Sequence, residues 1–151
     1  MSQRTPCPPG KSWVTPYLTV KDAEKSIAWY QNAFGFEKTF AMPGPDGKNA
    51  FAWVSWGEST GIGLSRVPDL EQRGNGVVFM VYVPKEMDMD AYYADVQKNG
   101  VAIVEPLKDQ YWGDRSFTVH DPDGYVIIPT RVVRQVNMEE ALAVMRGEKQ
   151  L

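Results

Sequence analysis

The sequence predicts an α+β fold made of two βαβββ modules that form a curved mixed sheet around a central cleft. Three observations carry this. Strand-like alternation and helix-like 3.6-residue spacing occur in one chain, in the order strand, helix, strand, strand, strand, and then again in the same order. The segment Phe51–Val67 lies on Ser116–Val132 without a gap at an offset of 65, with Val54 on Val119, Ile62 on Ile127 and an Arg-Val ending on both. Gly35 and Gly100 both close the helices, again 65 apart.

Val14 to Val20 alternates, with Val14, Pro16, Leu18 and Val20 on one face and Thr15, Tyr17 and Thr19 on the other. Pro16 has no N–H, which places this strand at an edge or a bulge. Asp22 caps a helix whose Ala23, Ile27, Tyr30 and Phe34 share one face. Phe36–Met42 is a short strand, and the Pro43-Gly44-Pro45-Asp46-Gly47 run is a turn. Asn49–Trp56 and Gly61–Val67 are strands separated by a turn. In the second half, Val77, Phe79, Val81 and Val83 alternate with Val78, Met80 and Tyr82. Asp90 is expected to cap a helix bearing Tyr92, Tyr93 and Val96. Strands follow at Val101–Val104, Arg115–His120 and Tyr125–Val132, the last two joined by Asp121-Pro122-Asp123-Gly124. Asn137–Gly147 is a final helix with Met138, Ala141, Leu142 and Met145 on one side. The expected organisation is an N-terminal arm (1–12), module 1 (13–67), a linker (68–75), module 2 (76–132) and a helical tail (133–151).

Composition removes whole classes of function. The chain has 151 residues and a net charge of −3, from 16 basic and 19 acidic side chains. Without a basic run, nucleic acid is not an expected partner. No stretch reaches the roughly 18 apolar residues of a membrane span, and the start lacks a signal-peptide profile, so the expected location is the cytoplasm. The lone Cys7 closes no intrachain disulfide, in keeping with a reducing compartment. One His and one Cys cannot build a site that needs two of either.

Certain runs resemble the vicinal oxygen chelate superfamily of glyoxalases, bleomycin-resistance proteins and dioxygenases. They are Val20-Lys21-Asp22, Trp29-Tyr30 and Phe34-Gly35-Phe36 in the first half, and Tyr111-Trp112-Gly113-Asp114-Arg115 and His120-Asp121-Pro122-Asp123-Gly124-Tyr125 in the second. The Tyr-Trp-Gly-Asp-Arg run is most similar to the PhnB-like branch. The resemblance implies the glyoxalase/bleomycin-resistance fold, a mostly dimeric state and, in the family's enzymes, one divalent metal held by His, Gln or Glu. The four ligand positions it implies fall on Thr15, Gly63, Val78 and Ile128. None of these is a usual ligand for a catalytic metal, and a one-residue slip offers nothing better. No metal or other cofactor is therefore expected.

Strand parity then proposes the lining of the cleft. The faces rich in Leu, Val and Phe pack on helices, which leaves Tyr17, Phe51, Trp53, Gly63, Met80, Tyr82, Thr118 and Ile128 on the other side, with Ser55, Ser65, Ser116 and His120. Such a set suits a flat or amphipathic small molecule. Trp112 is either a lid over the cleft or a rim aromatic that pins a hairpin or packs at a dimer contact. Arg115 either holds an anionic group of the ligand or forms a structural ion pair with Asp114 or Glu58. His120, Glu58 and Tyr17 are the candidate catalytic groups, with His120 read first as a brace for its loop. The expected function is metal-independent small-molecule binding, with an antibiotic among the possible ligands. The alternatives are an enzyme of the same fold with a displaced metal, and a structural or regulatory dimer with an empty cleft. The amphipathic tail favours a homodimer contact.

Overall fold

A computed structural model describes residues 15–58, 60–69, 71, 74 and 76–150. The arm at 1–12 with Cys7, Val14 and part of the 68–75 linker lie outside the described residues. The chain forms two units: the first runs to Arg73 and includes Asp121–Asp123, and the second comprises Gly74–His120 and Gly124 onward.

In unit 1, β1 (Tyr17–Val20), α1 (Ala23–Phe34), β2 (Glu37–Pro43), β3 (Asn49–Trp56) and β4 (Thr60–Arg66) follow in order. The sheet order is β1-β4-β3-β2, with β1 parallel to β4 and the other pairs antiparallel. β1 is thus an edge strand, where the missing N–H of Pro16 costs no ladder bond. Asp22 caps α1 by accepting from the Lys25 N–H, and Gly35 ends it at φ 73°, a left-handed geometry that glycine adopts without strain. Ile27, Tyr30 and Phe34 bury their side chains, while Leu18, Val20, Ala52, Val54, Ile62 and Leu64 form the buried face of the sheet. The Asp121–Asp123 turn also belongs to this unit. Tyr30 Oη donates to Asp121 Oδ2 at 2.8 Å, the Lys21 N–H donates to Asp123 Oδ1 at 2.9 Å, and Asp121 is buried.

Unit 2 has the same plan: β5 (Val78–Tyr82), α2 (Met89–Lys98), β6 (Ile103–Asp109), β7 (Asp114–His120) and β8 (Val126–Val132), with sheet order β5-β8-β7-β6. Again the first strand pairs in parallel with the last. Two expectations change here. Asp88, not Asp90, caps α2, because the helix begins two residues earlier and the Asp88 carboxylate accepts from the Ala91 N–H. The strand expected at 101–104 starts later and runs to Asp109, because pairing with β7 extends it through the polar Glu105 and Lys108. Phe117, Val119 and Ile127 are buried, and Tyr92 and Tyr93 pack on Phe117 with ring centroids 6.3 and 4.9 Å away.

The tail helix α3 (Met138–Met145) is capped as expected, with Asn137 Oδ1 accepting from the Glu140 N–H. None of its residues is buried, and Met138, Leu142 and Met145 are exposed.

Candidate functional site

The open face of the unit 1 sheet is set by parity. With Val54, Ile62 and Leu64 turned toward α1, the alternate positions Phe51, Trp53, Ser55, Gly63 and Ser65 turn the other way. β1 adds Tyr17 directly opposite Gly63. The Tyr17 ring stacks on Phe51 at 5.6 Å and 25°, and meets Trp53 edge-on at 5.6 Å and 62°. Trp53 is only 7% exposed beneath its neighbours, while Tyr17 is 62% exposed.

Sequence reasoning missed two members of this face. β2 pairs Lys38 with Val54 but Phe40 with Trp53 and Met42 with Phe51, so the register shifts by one residue at Thr39. The slip turns Phe40 and Met42 onto the open face, where Phe40 lies 6.2 Å from Phe51 and is 53% exposed. A bulge of this kind leaves no mark in the hydrophobic pattern, so the strand's face was not legible. Thr39 Oγ1 lies 3.3 Å from Ser55 Oγ, giving the aromatic face a pair of hydroxyls at its margin.

Unit 2's sheet, taken by itself, has Met80 opposite Ile128 and Tyr82 opposite Thr130, with Val78, Met80 and Tyr82 exposed. Thr118 has the same parity as Ser116 and His120, on the face away from Phe117 and Val119. This face is aliphatic and polar, with Tyr82 as its one large ring.

Arg115 does not join this group. It has the parity of Phe117 and binds Asp90 of α2 at 2.7 Å and Asp109 at 2.8 Å. The Asp109 hydrogen bond first, and then that of Asp90, hold the guanidinium's proton more firmly than usual. The expected pairing of Arg115 with Asp114 or Glu58 does not form. Asp114 Oδ2 instead accepts from Trp112 Nε1 at 2.8 Å, which commits the Trp112 N–H to fastening the β6–β7 hairpin. Glu58 is exposed in the β3–β4 turn, remote in register from Tyr17, and His120 is exposed at the end of β7.

Two sheets of identical topology, each leaving an apolar face open, define a paired βαβββ protein. The chain belongs to the Glyoxalase/Bleomycin resistance protein/Dioxygenase superfamily, whose model matches residues 12–128. An uncharacterized protein of Mycobacterium bovis is 32% identical over 144 residues, covering 89% of this chain and 93% of the relative. A lactoylglutathione lyase of Neisseria meningitidis is 32% identical over 116 residues, covering 73% of this chain and 83% of that enzyme. Among solved structures, TioX from Micromonospora sp. ML1 superposes with a TM-score of 0.66 at 24% identity, covering 81% of this chain and 99% of TioX. A glyoxalase-related enzyme from Clostridium phytofermentans gives 0.65 at 19% identity, covering 80% and 94%. At these identities the structural likeness speaks for the fold.

The metal that serves the superfamily's enzymes does not fit the residues found at the expected positions. Gly63 has no donor and lies under the Tyr17 ring. Val78 and Ile128 are hydrocarbon, and Thr15 offers a neutral hydroxyl. Among the described residues, no three of His, Cys, Asp and Glu gather as a metal-holding group. No helix among them is long and apolar enough to cross a membrane.

Proposed function

We propose that the protein is a metal-independent small-molecule-binding protein of the bleomycin-resistance type, in the PhnB-like branch. It holds a flat aromatic or amphipathic compound, such as an antibiotic, against the open face of the unit 1 sheet. It acts in the cytoplasm as a homodimer, a state favoured by the uncovered Met138, Leu142 and Met145 of α3. The observation that carries the reading is the group of rings Tyr17, Phe40 and Phe51 on one face of the sheet, with the buried Trp53 beneath them. Stacking on rings of this kind selects planar ligands, and the Thr39 and Ser55 hydroxyls orient them.

Calorimetric titration with acridine, against an aliphatic amphiphile of equal apolar area, tests this. Binding of acridine with a Kd in the micromolar range is expected, weakened about tenfold in Trp53→Ala. Absence of binding across a panel of planar aromatics overturns it, as does stoichiometric Zn, Ni, Mn or Fe in the purified protein.

The 32% identity to a lactoylglutathione lyase favours a second reading, an enzyme of the same fold. Its candidate groups are His120, Glu58 and Tyr17, and the same metal analysis separates the two readings.

A further inference from the structure

We infer that Gly63 is the specificity-determining residue of the unit 1 face: its missing side chain is the seat of the Tyr17 ring, and the seated ring closes the position where the fold family would place a metal ligand. The inference rests on the binding reading above and names the residue that shapes that surface.

A Cβ built on Gly63 would stand 2.8 Å from Tyr17 Cδ1, 2.9 Å from Tyr17 Cε1 and 3.1 Å from Trp53 Cζ3. Real Cβ atoms essentially never approach carbon as closely as the two Tyr17 distances, so the Tyr17 ring must shift, while Trp53 must give slightly. The backbone does not ask for glycine here, since Gly63 is absent from the positions with positive φ. Nor does the topology ask for it. The corresponding pair in unit 2, first strand against last in the same parallel register, is Met80 opposite Ile128, and a branched side chain is accepted there. Glycine inside a strand carries an entropic cost and no packing gain of its own, and marks a place where something approaches closely. What approaches is the Tyr17 ring, resting over β4 between Phe51 and Trp53.

The ring is the exposed end of a side chain on an edge strand, so it can swing away, and Trp53 beneath it needs to give by only a few tenths of an ångström. Filling the seat therefore perturbs the surface far more than the fold. With Tyr17 lifted, the stack on Phe51 and the edge contact with Trp53 are lost, and the face becomes uneven. Planarity selection follows from the seated ring: Tyr17 and Phe51 lie within 25° of parallel, so a flat tricyclic molecule gains contact with both and a twisted biaryl does not.

The test compares wild type, Gly63→Ala, Tyr17→Ala and the double variant. Near-ultraviolet circular dichroism reports aromatic packing, and titrations with acridine and 4-hydroxybiphenyl report binding. Gly63→Ala is expected to keep its melting temperature, change the near-ultraviolet spectrum, weaken acridine about tenfold and leave 4-hydroxybiphenyl unchanged. In the Tyr17→Ala background, Gly63→Ala should have a much smaller effect on spectrum and binding, because only the 3.1 Å contact with Trp53 Cζ3 remains. A Gly63→Ala spectrum and acridine affinity like wild type, with wild type binding acridine, overturn the inference and leave the binding reading standing. Equal losses with and without Tyr17 also overturn it. Failure of wild type to bind either probe overturns the binding reading and the specificity role with it, whatever the spectra show. Tyr17→Phe, which keeps the ring, is the control and should bind acridine like wild type.

Discussion

The two sheets share strand order, and β3 pairs with β4 as β7 pairs with β8, but their open faces carry different chemistry. On the buried side, Val54 and Val119 correspond, as do Ile62 and Ile127, and all four are buried. On the open side, Phe51, Trp53 and Gly63 of unit 1 correspond to Ser116, Thr118 and Ile128 of unit 2 at the offset of 65. A buried face is held to shape and hydrophobicity by packing, whereas an open face is free to take the chemistry of a ligand. The cores exchange one apolar residue for another, Ala52 for Phe117 and Leu64 for Pro129, whereas the open faces exchange aromatic for polar, so the open face is the place to look for function.

If the buried faces do equal work, matched truncations should cost alike. Ile62→Ala and Ile127→Ala are each expected to lower stability by about 2–5 kcal/mol, read from urea unfolding midpoints and slopes. A large inequality would show that one core is packed less tightly and would break the correspondence.

A smaller effect separates the helices. Tyr30 of α1 is buried and donates to the buried Asp121 carboxylate at 2.8 Å. Tyr30→Phe leaves that carboxylate short of a donor and is expected to cost about 1–3 kcal/mol. On α2, Tyr93 contributes ring contact with Phe117, which phenylalanine retains, so Tyr93→Phe should change stability by less than about 0.5 kcal/mol. Equal losses would remove this distinction between the units.

The smallest effect is one of pH. The hydrogen bond from Arg66 holds the Asp46 carboxyl below its ordinary value. The folded protein therefore keeps this carboxylate ionised to lower pH than the unfolded chain does. Stability from the pair is complete above the unfolded carboxylate range and is lost as pH falls through the lower folded value. Because Asp46 is exposed, the contribution is small. Asp46→Asn should flatten the acid limb of the urea midpoint against pH, with the two proteins converging at the lowest pH. A wild-type limb that Asp46→Asn leaves unchanged would assign that stability elsewhere.

Much of the architecture was legible because it rests on local rules. Asp22, Gly35 and Asn137 mark helix ends by their own side-chain or backbone chemistry, and the strands at 49–56 and 60–66 show themselves by alternation. The cap of α2 was misplaced because Asp88 and Asp90 both suit an N-cap, and only the helix's actual start chooses between them. For the candidate site, Tyr17, Phe51, Trp53 and Gly63 were brought together by parity alone. Arg115 was not separable from the ligand face in this way, because its partners Asp90 and Asp109 come from a helix and a neighbouring strand.

By itself the sequence determined the repeated βαβββ plan, the buried faces and the lack of suitable donors at the four expected metal positions. Periodicity, turn chemistry and side-chain type are all properties of a residue and its near neighbours. Tertiary structure alone decided the bulge that turns Phe40 and Met42 outward, the engagement of Trp112 with Asp114, and the seating of Tyr17 on Gly63. Each of these depends on the register of one strand against another, and a ring 46 positions away in sequence lies on Gly63 only because β1 pairs with β4.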